Sequence, residues 1–134
     1  MGLQVKRRLS RITAVAASLT VAVTLGIAGP ASADDGIDWD HHWSVPGGDV
    51  YVEEHGDIVM VCDTKADGKG VHGLVKDYYT GIIAYEFDET AGAFTCIKLS
   101  ASMGGRYNLV EGHYYGVSFY VGDSHEVGFW TNDH

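Results

Sequence analysis

The chain has 134 residues, with 18 acidic and nine basic side chains and a formal net charge of −9. This length fits one domain and excludes a multidomain enzyme. Four of the basic residues lie in the first 33 positions, so residues 34–134 carry five basic side chains against all 18 acidic ones, a net charge of −13. Phosphate binding requires a basic patch, and anionic membrane surfaces attract basic segments. We therefore expect neither nucleic acid nor a membrane surface as a partner.

Residues 1–33 contain the three parts of a secretory signal peptide in the expected order. An uncharged apolar run covers residues 12–29, and Ala31-Ser32-Ala33 supplies a small-residue cleavage site. An uncleaved membrane anchor is the alternative, because the apolar run is close to the length that spans a bilayer. We expect cleavage after Ala33 and a secreted, extracellular protein. The basic residues that precede the apolar run are Lys6, Arg7, Arg8 and Arg11.

Residues 34–49 differ in character from the remainder of the chain. They are acidic, show no alternation of apolar and polar residues, and end in Pro46-Gly47-Gly48. This composition predicts an irregular acidic arm, which Trp39 or Trp43 could dock onto the domain. Residues 50–134 then form a single β domain.

Short apolar runs separated by Gly-rich turns fill this domain, and no window has the pattern of an amphipathic helix. A spacing near ten residues is typical of an antiparallel β-sandwich or small barrel. The sequence therefore predicts an all-β fold, a small antiparallel β-sandwich or open barrel of about seven strands. The predicted strands lie near residues 50–53, 57–62, 71–79, 82–87, 94–99, 113–121 and 125–131.

The pattern within the runs predicts which side chains face the core. Residues 58–62 are apolar on both faces, which indicates a central strand. Residues 115, 117, 119 and 121 are apolar or aromatic and alternate with 114, 116, 118 and 120, which predicts one packed and one solvent-facing side. By the same reasoning Ile83, Tyr85 and Phe87 share one face.

Cys62 and Cys96 are the only cysteines. In an exported chain two cysteines most simply form one disulfide bond. A reactive or metal-binding thiol pair is the alternative, but no CxxC spacing supports it.

Two features invite a metal interpretation, and the residue pattern favours another explanation for each. Residues 63–68 (DTKADG) match part of a calcium loop, but Lys65 and Leu74 stand at two positions that should supply oxygen ligands. The alternative is an ordinary β-turn. His41 and His42 lie in the densest histidine cluster, but adjacent side chains in an extended segment point to opposite sides. We expect no specific metal site and no cofactor.

Motifs of a hydrolase are also missing. GxSxG does not occur, and Asp123-Ser124-His125 places three triad residue types in a row, where consecutive side chains diverge. The sequence indicates no catalytic residue, and an enzyme is not favoured.

The last two strands carry aromatic residues on the face that alternation assigns to solvent. A three-residue turn at Gly122-Asp123-Ser124 would pair Val121 with His125 and place Trp130 over Gly116. Tyr114, Tyr120 and Trp130 would then form a partly exposed binding patch. The alternative is that the second sheet of the sandwich covers these rings.

The Ala31-Ser32-Ala33 site, the segment 61–68 (VCDTKADG) and the second cysteine together resemble uncharacterised small secreted β-rich proteins of actinobacteria. The resemblance implies export, a β-rich domain and the Cys62–Cys96 bridge, and it carries over no catalytic or binding residue. Many of those proteins have more cysteines, so a single bridge is a departure from their pattern.

These observations lead to an expectation of a secreted, non-catalytic binding or interaction protein. Its partner would be an extracellular protein, a peptide or a carbohydrate. The alternative is a small secreted hydrolase or hydrolase inhibitor.

Overall fold

The computed structural model describes residues 36–134, so the predicted signal peptide lies outside the described residues. Eight strands form two antiparallel sheets with the orders β1-β2-β3-β6 and β5-β4-β7-β8, which confirms the predicted β-sandwich. No helix in residues 36–134 is long and apolar enough to cross a membrane. The strands are β1 (His41–Val45), β2 (Gly48–Glu53), β3 (Ile58–Asp63), β4 (Val71–Asp77), β5 (Ile82–Glu89), β6 (Cys96–Leu99), β7 (Tyr114–Val121) and β8 (Ser124–Thr131).

The prediction of an irregular arm over residues 34–49 is wrong for most of the described part of that segment. Residues 41–45 form the edge strand β1, which pairs with β2 from His41 opposite Val52 to Val45 opposite Gly48. Pro46 and Gly47 make the two-residue turn between them, and Gly47 has a φ of 93°. A type II turn commonly has proline at its first central position and a glycine of positive φ at its second. The Pro46-Gly47 dipeptide, predicted to end an irregular arm, is therefore a hairpin turn.

The core lies between the two sheets and is built mainly from valine and aromatic side chains. The strand predicted to be central, β3, is flanked by β2 and β6, and Val59, Met60, Val61 and Cys62 are all buried. The alternation predicted for β7 is confirmed, since its odd-numbered residues from 115 to 121 are buried. These inward side chains fix which side of the second sheet faces solvent.

One inward assignment in β5 is wrong. Tyr85 and Phe87 are buried as predicted, but a β-bulge at Ala84 lets Ile83 pair with Lys76. An extra residue in one strand reverses the alternation beyond it. Ile83 therefore lies on the outer face of the second sheet and is 47% exposed.

The predicted register of the last hairpin is wrong by one residue. The turn has two residues, Gly122 and Asp123, and Val121 pairs with Ser124. Gly122 has a φ of 56°, as the first position of a two-residue hairpin turn favours. Each side chain of β8 therefore faces the opposite side from the one predicted, so Phe129 points outward and Trp130 points into the core.

Packing between β1 and β8 explains why this register is preferred. The Trp43 ring lies against Gly128, where a β-carbon would come within 2.1 Å of Cδ2. Trp43 also contacts the buried Trp130, with ring centroids 6.1 Å apart. Gly128 and Trp130 must both face inward for β8 to pack against Trp43. The stability gained from this packing outweighs what the burial of Val127 and Phe129 would give in the other register.

A buried carboxylate organises one end of the sandwich. Asp57 accepts hydrogen bonds from the backbone N–H of Leu109 and from the side-chain amide of Asn132, each at 2.9 Å. These bonds attach the loop before β7 and the residue after β8 to the β2–β3 turn. They hold the loop that shapes the end pocket described below.

Candidate functional site

The outer face of the second sheet carries three aromatic rings around a glycine. Phe129 lies opposite Gly116 across β7 and β8, and a β-carbon at Gly116 would come within 2.6 Å of Cε2 of Tyr78 and 2.9 Å of Cδ1 of Phe129. The rings of Tyr78 and Phe129 pack edge-to-face with their centroids 5.4 Å apart, and the Tyr114 ring lies parallel to that of Phe129 with a centroid distance of 5.6 Å. The glycine thus lets the rings settle onto the backbone.

These three side chains remain accessible although they pack together. Tyr78, Tyr114 and Phe129 are 46%, 46% and 43% exposed, respectively. The ammonium group of Lys76 lies 5.0 Å from the centre of the Tyr78 ring, a cation–π distance. We call the outer-face set of Tyr78, Ile83, Tyr114, Tyr120 and Phe129 the aromatic face.

The other end of the same face is more polar. Tyr120 stacks on His72 at 5.4 Å, and Nδ1 of His72 lies 2.5 Å from a carboxylate oxygen of Asp88. A hydrogen bond of 3.0 Å links Oγ of Ser118 and Nε2 of His125. A shallow groove of about 250 Å³ is lined by His72, Asp88, Ser118 and Tyr120, together with Glu86. The face therefore offers rings at one end and hydrogen-bonding groups at the other.

Two of the three predicted binding residues lie where the sequence places them. Tyr114 and Tyr120 are exposed on the outer face, but six residues of strand separate them by about 20 Å. Trp130 is not part of a surface patch, because it is 3% exposed and packs between Trp43 and Tyr115. The prediction for Trp130 is wrong because the hairpin turn is one residue shorter than expected.

Neither Phe129 nor Tyr78 was predicted to lie on the outer face, although the turn sequence could have predicted this position for Phe129. Gly-Asp as a two-residue turn is a known hairpin pattern, and with that turn Phe129 falls opposite Gly116. Tyr78 follows the last residue of β4, where alternation no longer assigns a face. Its position depends on its backbone N–H, which donates to the carbonyl of Tyr114.

The Cys62–Cys96 disulfide is confirmed, with the two residues directly opposite on β3 and β6. Their Cα atoms are 4.1 Å apart, slightly below the roughly 4.4–6.8 Å usual for a disulfide, because they occupy a pair without ladder hydrogen bonds, next to the backbone hydrogen bond between Asp63 and Thr95. The inward residues of β3 are Val59 and Val61, so the bridge lies on the outer face of the first sheet. It is therefore remote from the aromatic face and serves stability.

The two sequence features that invited a metal interpretation have structural partners. Asp63 and Asp67 each accept a hydrogen bond from the backbone N–H two residues later, at Lys65 and Lys69. His41 contacts Glu54 at 2.6 Å, whereas His42 stacks on Tyr51, so the adjacent imidazoles have separate neighbours as expected. Within residues 36–134 no three His, Cys, Asp or Glu side chains are grouped as metal ligands would be.

An Asp–His pair lies at the end of the sandwich. Nδ1 of His113 donates to Oδ2 of Asp77 at 2.7 Å, and Oδ1 of Asp77 accepts from the backbone N–H of Tyr79 and Thr80. Burial raises the pKa of Asp77, but the hydrogen bonds from His113, Thr80 and Tyr79 outweigh burial and lower the pKa below its usual value. This orients the imidazole but places it apart from Ser118 and His125, so the described contacts assemble no Ser–His–Asp triad.

Comparison with known proteins adds a fold likeness alone. No protein-family model matches the sequence, and no curated protein matches it. A crystal structure of a DUF3244 family protein with an immunoglobulin-like β-sandwich fold, from Bacteroides vulgatus, is similar with a TM-score of 0.46 and 18% sequence identity. The alignment covers 71% of this chain and 94% of that one.

Proposed function

We propose that this chain is an exported, non-catalytic binding protein whose partner docks on the aromatic face. One observation carries the proposal. Ten large apolar side chains are exposed in the described residues, and five of them lie on this single sheet face. Three of these five, Tyr78, Tyr114 and Phe129, contact one another, and contiguous exposed apolar surface on a monomer typically marks an interaction site.

The composition of the face supports a role in recognition. Tyrosine and phenylalanine bury a large area at a low entropic cost, and a tyrosine hydroxyl supplies a hydrogen bond at the rim. Gly116 has no side chain to project from the sheet, so the rings of Tyr78 and Phe129 can lie close to the backbone there. Such a surface suits an extended peptide, a protein surface or the ring of a sugar.

The expected extracellular location fits the rest of the molecule. A disulfide bond forms in oxidising compartments, and the chain has one between Cys62 and Cys96. Export through the predicted signal peptide would give the face access to partners in the medium or the cell wall.

The test uses the protein as bait for culture supernatant and cell-wall material, followed by affinity measurements on whatever is captured. The Tyr114→Ala and Phe129→Ala variants should each weaken binding by about 30-fold, as expected for an aromatic residue contributing about 2 kcal/mol. Met103→Ala is the matched control, because Met103 is exposed apolar surface outside the aromatic face. Equal affinity of all three variants and the unaltered protein would refute the proposal.

A small secreted hydrolase or hydrolase inhibitor is the alternative. The Asp77–His113 pair favours the hydrolase, because an oriented imidazole is what a general base requires. The His113→Gln variant distinguishes the two. It should abolish any hydrolytic activity of an enzyme, whereas it should leave a partner bound to the aromatic face unaffected.

A further inference from the structure

A second concave surface lies at the end of the sandwich, separate from the aromatic face. It is a pocket of about 240 Å³ between the edge strand β5 and the loop that leads into β7. Leu109 and Tyr115 are buried residues that line it, and the side chains of Ile82 and Val110 stand exposed around it. Apolar side chains that line an open pocket leave apolar area in contact with water, which an apolar ligand would cover.

The β-bulge in β5 helps to create this pocket. Ala84 is the bulged residue and lies in the pocket lining, where its small side chain leaves room. On the opposite wall the hydroxyl of Tyr115 accepts a hydrogen bond from the backbone N–H of Val110 at 2.8 Å. Burial raises the pKa of Tyr115, so its phenol stays neutral and holds the loop without adding charge.

One cation stands at this pocket. Arg106 is the only arginine after residue 33, in a segment that holds 18 acidic side chains. It lines the pocket, and it belongs to none of the ion pairs among the described residues. A guanidinium matches the two oxygens of a carboxylate, and such a pair is stronger than a hydrogen bond between neutral groups.

The one carboxylate in the lining does not compete for that arginine. Both oxygens of Asp77 already accept hydrogen bonds, one from His113 and the other from the backbone of Tyr79 and Thr80. The His113 ring is further fixed by stacking on Tyr79 at 4.5 Å. The Arg106 guanidinium and the Asn108 amide, which lie in the same loop, also line the pocket.

We propose that this end pocket binds a small amphiphilic carboxylate. Its apolar body would lie against Leu109, Val110 and Ile82, and its carboxylate would pair with Arg106. The volume is below the roughly 300–1,000 Å³ of pockets that hold drug-sized ligands, which limits the ligand to a short chain or a single ring. This site is independent of the aromatic face.

The test compares three probes in heteronuclear NMR titrations of the isotope-labelled protein. Octanoate has both parts of the proposed ligand, octanamide keeps the apolar chain without charge, and acetate keeps the charge without the chain. Octanoate should shift the backbone amides of Ala84, Leu109 and Val110. It should bind at least about tenfold more tightly than octanamide, since a hydrogen bond to a charged group is worth that much, and more tightly than acetate, because acetate buries almost no apolar surface.

Two variants assign the roles. Arg106→Gln should lower octanoate affinity about tenfold and leave octanamide affinity unchanged, whereas Lys69→Gln makes the same charge change near the opposite end of β4 and should have little effect. Val110→Phe should fill the pocket and weaken both long-chain probes.

Three outcomes would overturn the proposal. Octanamide could bind as tightly as octanoate, Arg106→Gln and Lys69→Gln could lower octanoate affinity equally, or the shifted amides could lie outside the pocket. None of them bears on the aromatic face, whose test uses other residues and another partner.

Discussion

Asp77 is a carboxylate that folding removes almost entirely from solvent, with 6% of the residue exposed. Its hydrogen bonds to His113 and to two backbone N–H groups stabilise the charged form, which is why its pKa is lowered despite burial. At the scale of single residues, such a group links the stability of the β4–β5 turn to pH.

The Asp77→Asn variant should therefore lose about 1–3 kcal/mol of unfolding free energy at pH 7, the usual cost of hydrogen bonds to a charged group. A lowered folded-state pKa means that the stabilisation is present above the unfolded pKa of about 3.9 and is lost as the pH falls through the folded value. Urea unfolding from pH 7 to pH 3 should show the gap between variant and parent closing at low pH. Asp123→Asn, at an exposed turn, is the control, and a gap that widens on acidification would contradict the assignment.

Gly128 gives a second residue-scale prediction. An alanine there would place its β-carbon 2.1 Å from the Trp43 ring, so the ring must move and the β1–β8 edge must open. Gly128→Ala should cost at least about 2 kcal/mol, within the range for overpacked cores.

A double-mutant cycle with Trp43→Ala isolates that contact. Once the ring is gone, Gly128→Ala should cost much less, and the two changes should be strongly non-additive. Additive losses would show that Trp43 does not lie on Gly128.

At the scale of elements, the disulfide joins two neighbouring strands of the first sheet across a sequence separation of 34 residues. Closing a loop of that length stabilises the folded state by about 3–4 kcal/mol in the chain-entropy model. The Cys62→Ala/Cys96→Ala double variant should therefore melt at least about 10 °C lower, given the melting entropy of a domain this small. Native protein should show no free thiols in labelling experiments. Labelling of native protein, or an unchanged melting temperature, would contradict this account.

The elements also show what the sequence could and could not predict. Seven of the eight strands follow from apolar runs between Gly-rich turns, because burial on one face imposes a period of two. The strand β1 was not predicted, because its inward side chains, His41, Trp43 and Val45, do not form an apolar run. The Pro46-Gly47 turn was also interpreted as the end of an irregular segment.

The register of β8 was not predictable from alternation alone. The strand contains two overlapping patterns, Val127 with Phe129 and Gly128 with Trp130, and apolar content favours the first. The second is observed because Trp43 needs a glycine to pack against, and that contact comes from a strand more than 80 residues earlier in the sequence. The bulge at Ala84 is of the same kind, since it reverses the face of Ile83 without a local sequence signal.

In the whole molecule, the disulfide, the aromatic face and the end pocket occupy different parts of the sandwich. The first sheet carries the disulfide, the second carries the aromatic face, and the loop before β7 shapes the end pocket. The strong negative charge of residues 34–134 opposes association of copies through their exposed rings, because like-charged molecules repel one another.

We predict that the chain is exported and loses its first 33 residues. The protein recovered from the medium should have the intact mass of residues 34–134 with one disulfide, because the predicted cleavage site follows Ala33. Replacing Ala33 with a bulky residue should block that processing. Full-length protein found only in the membrane fraction of the unaltered strain would mean that the apolar run is retained as an anchor.

We propose that a partner binds the outer face of the second sheet, on which Phe129 points outward while Trp130 points inward. Hydroxyl-radical footprinting with mass spectrometry tests it in one measurement, on the protein alone and saturated with its captured partner. We expect Tyr114 and Phe129 to be oxidised in the free protein and protected in the complex, while Trp130 is protected in both. Ready oxidation of Trp130 in the free protein would contradict the register, and unchanged oxidation of Tyr114 and Phe129 in the complex would contradict the binding role.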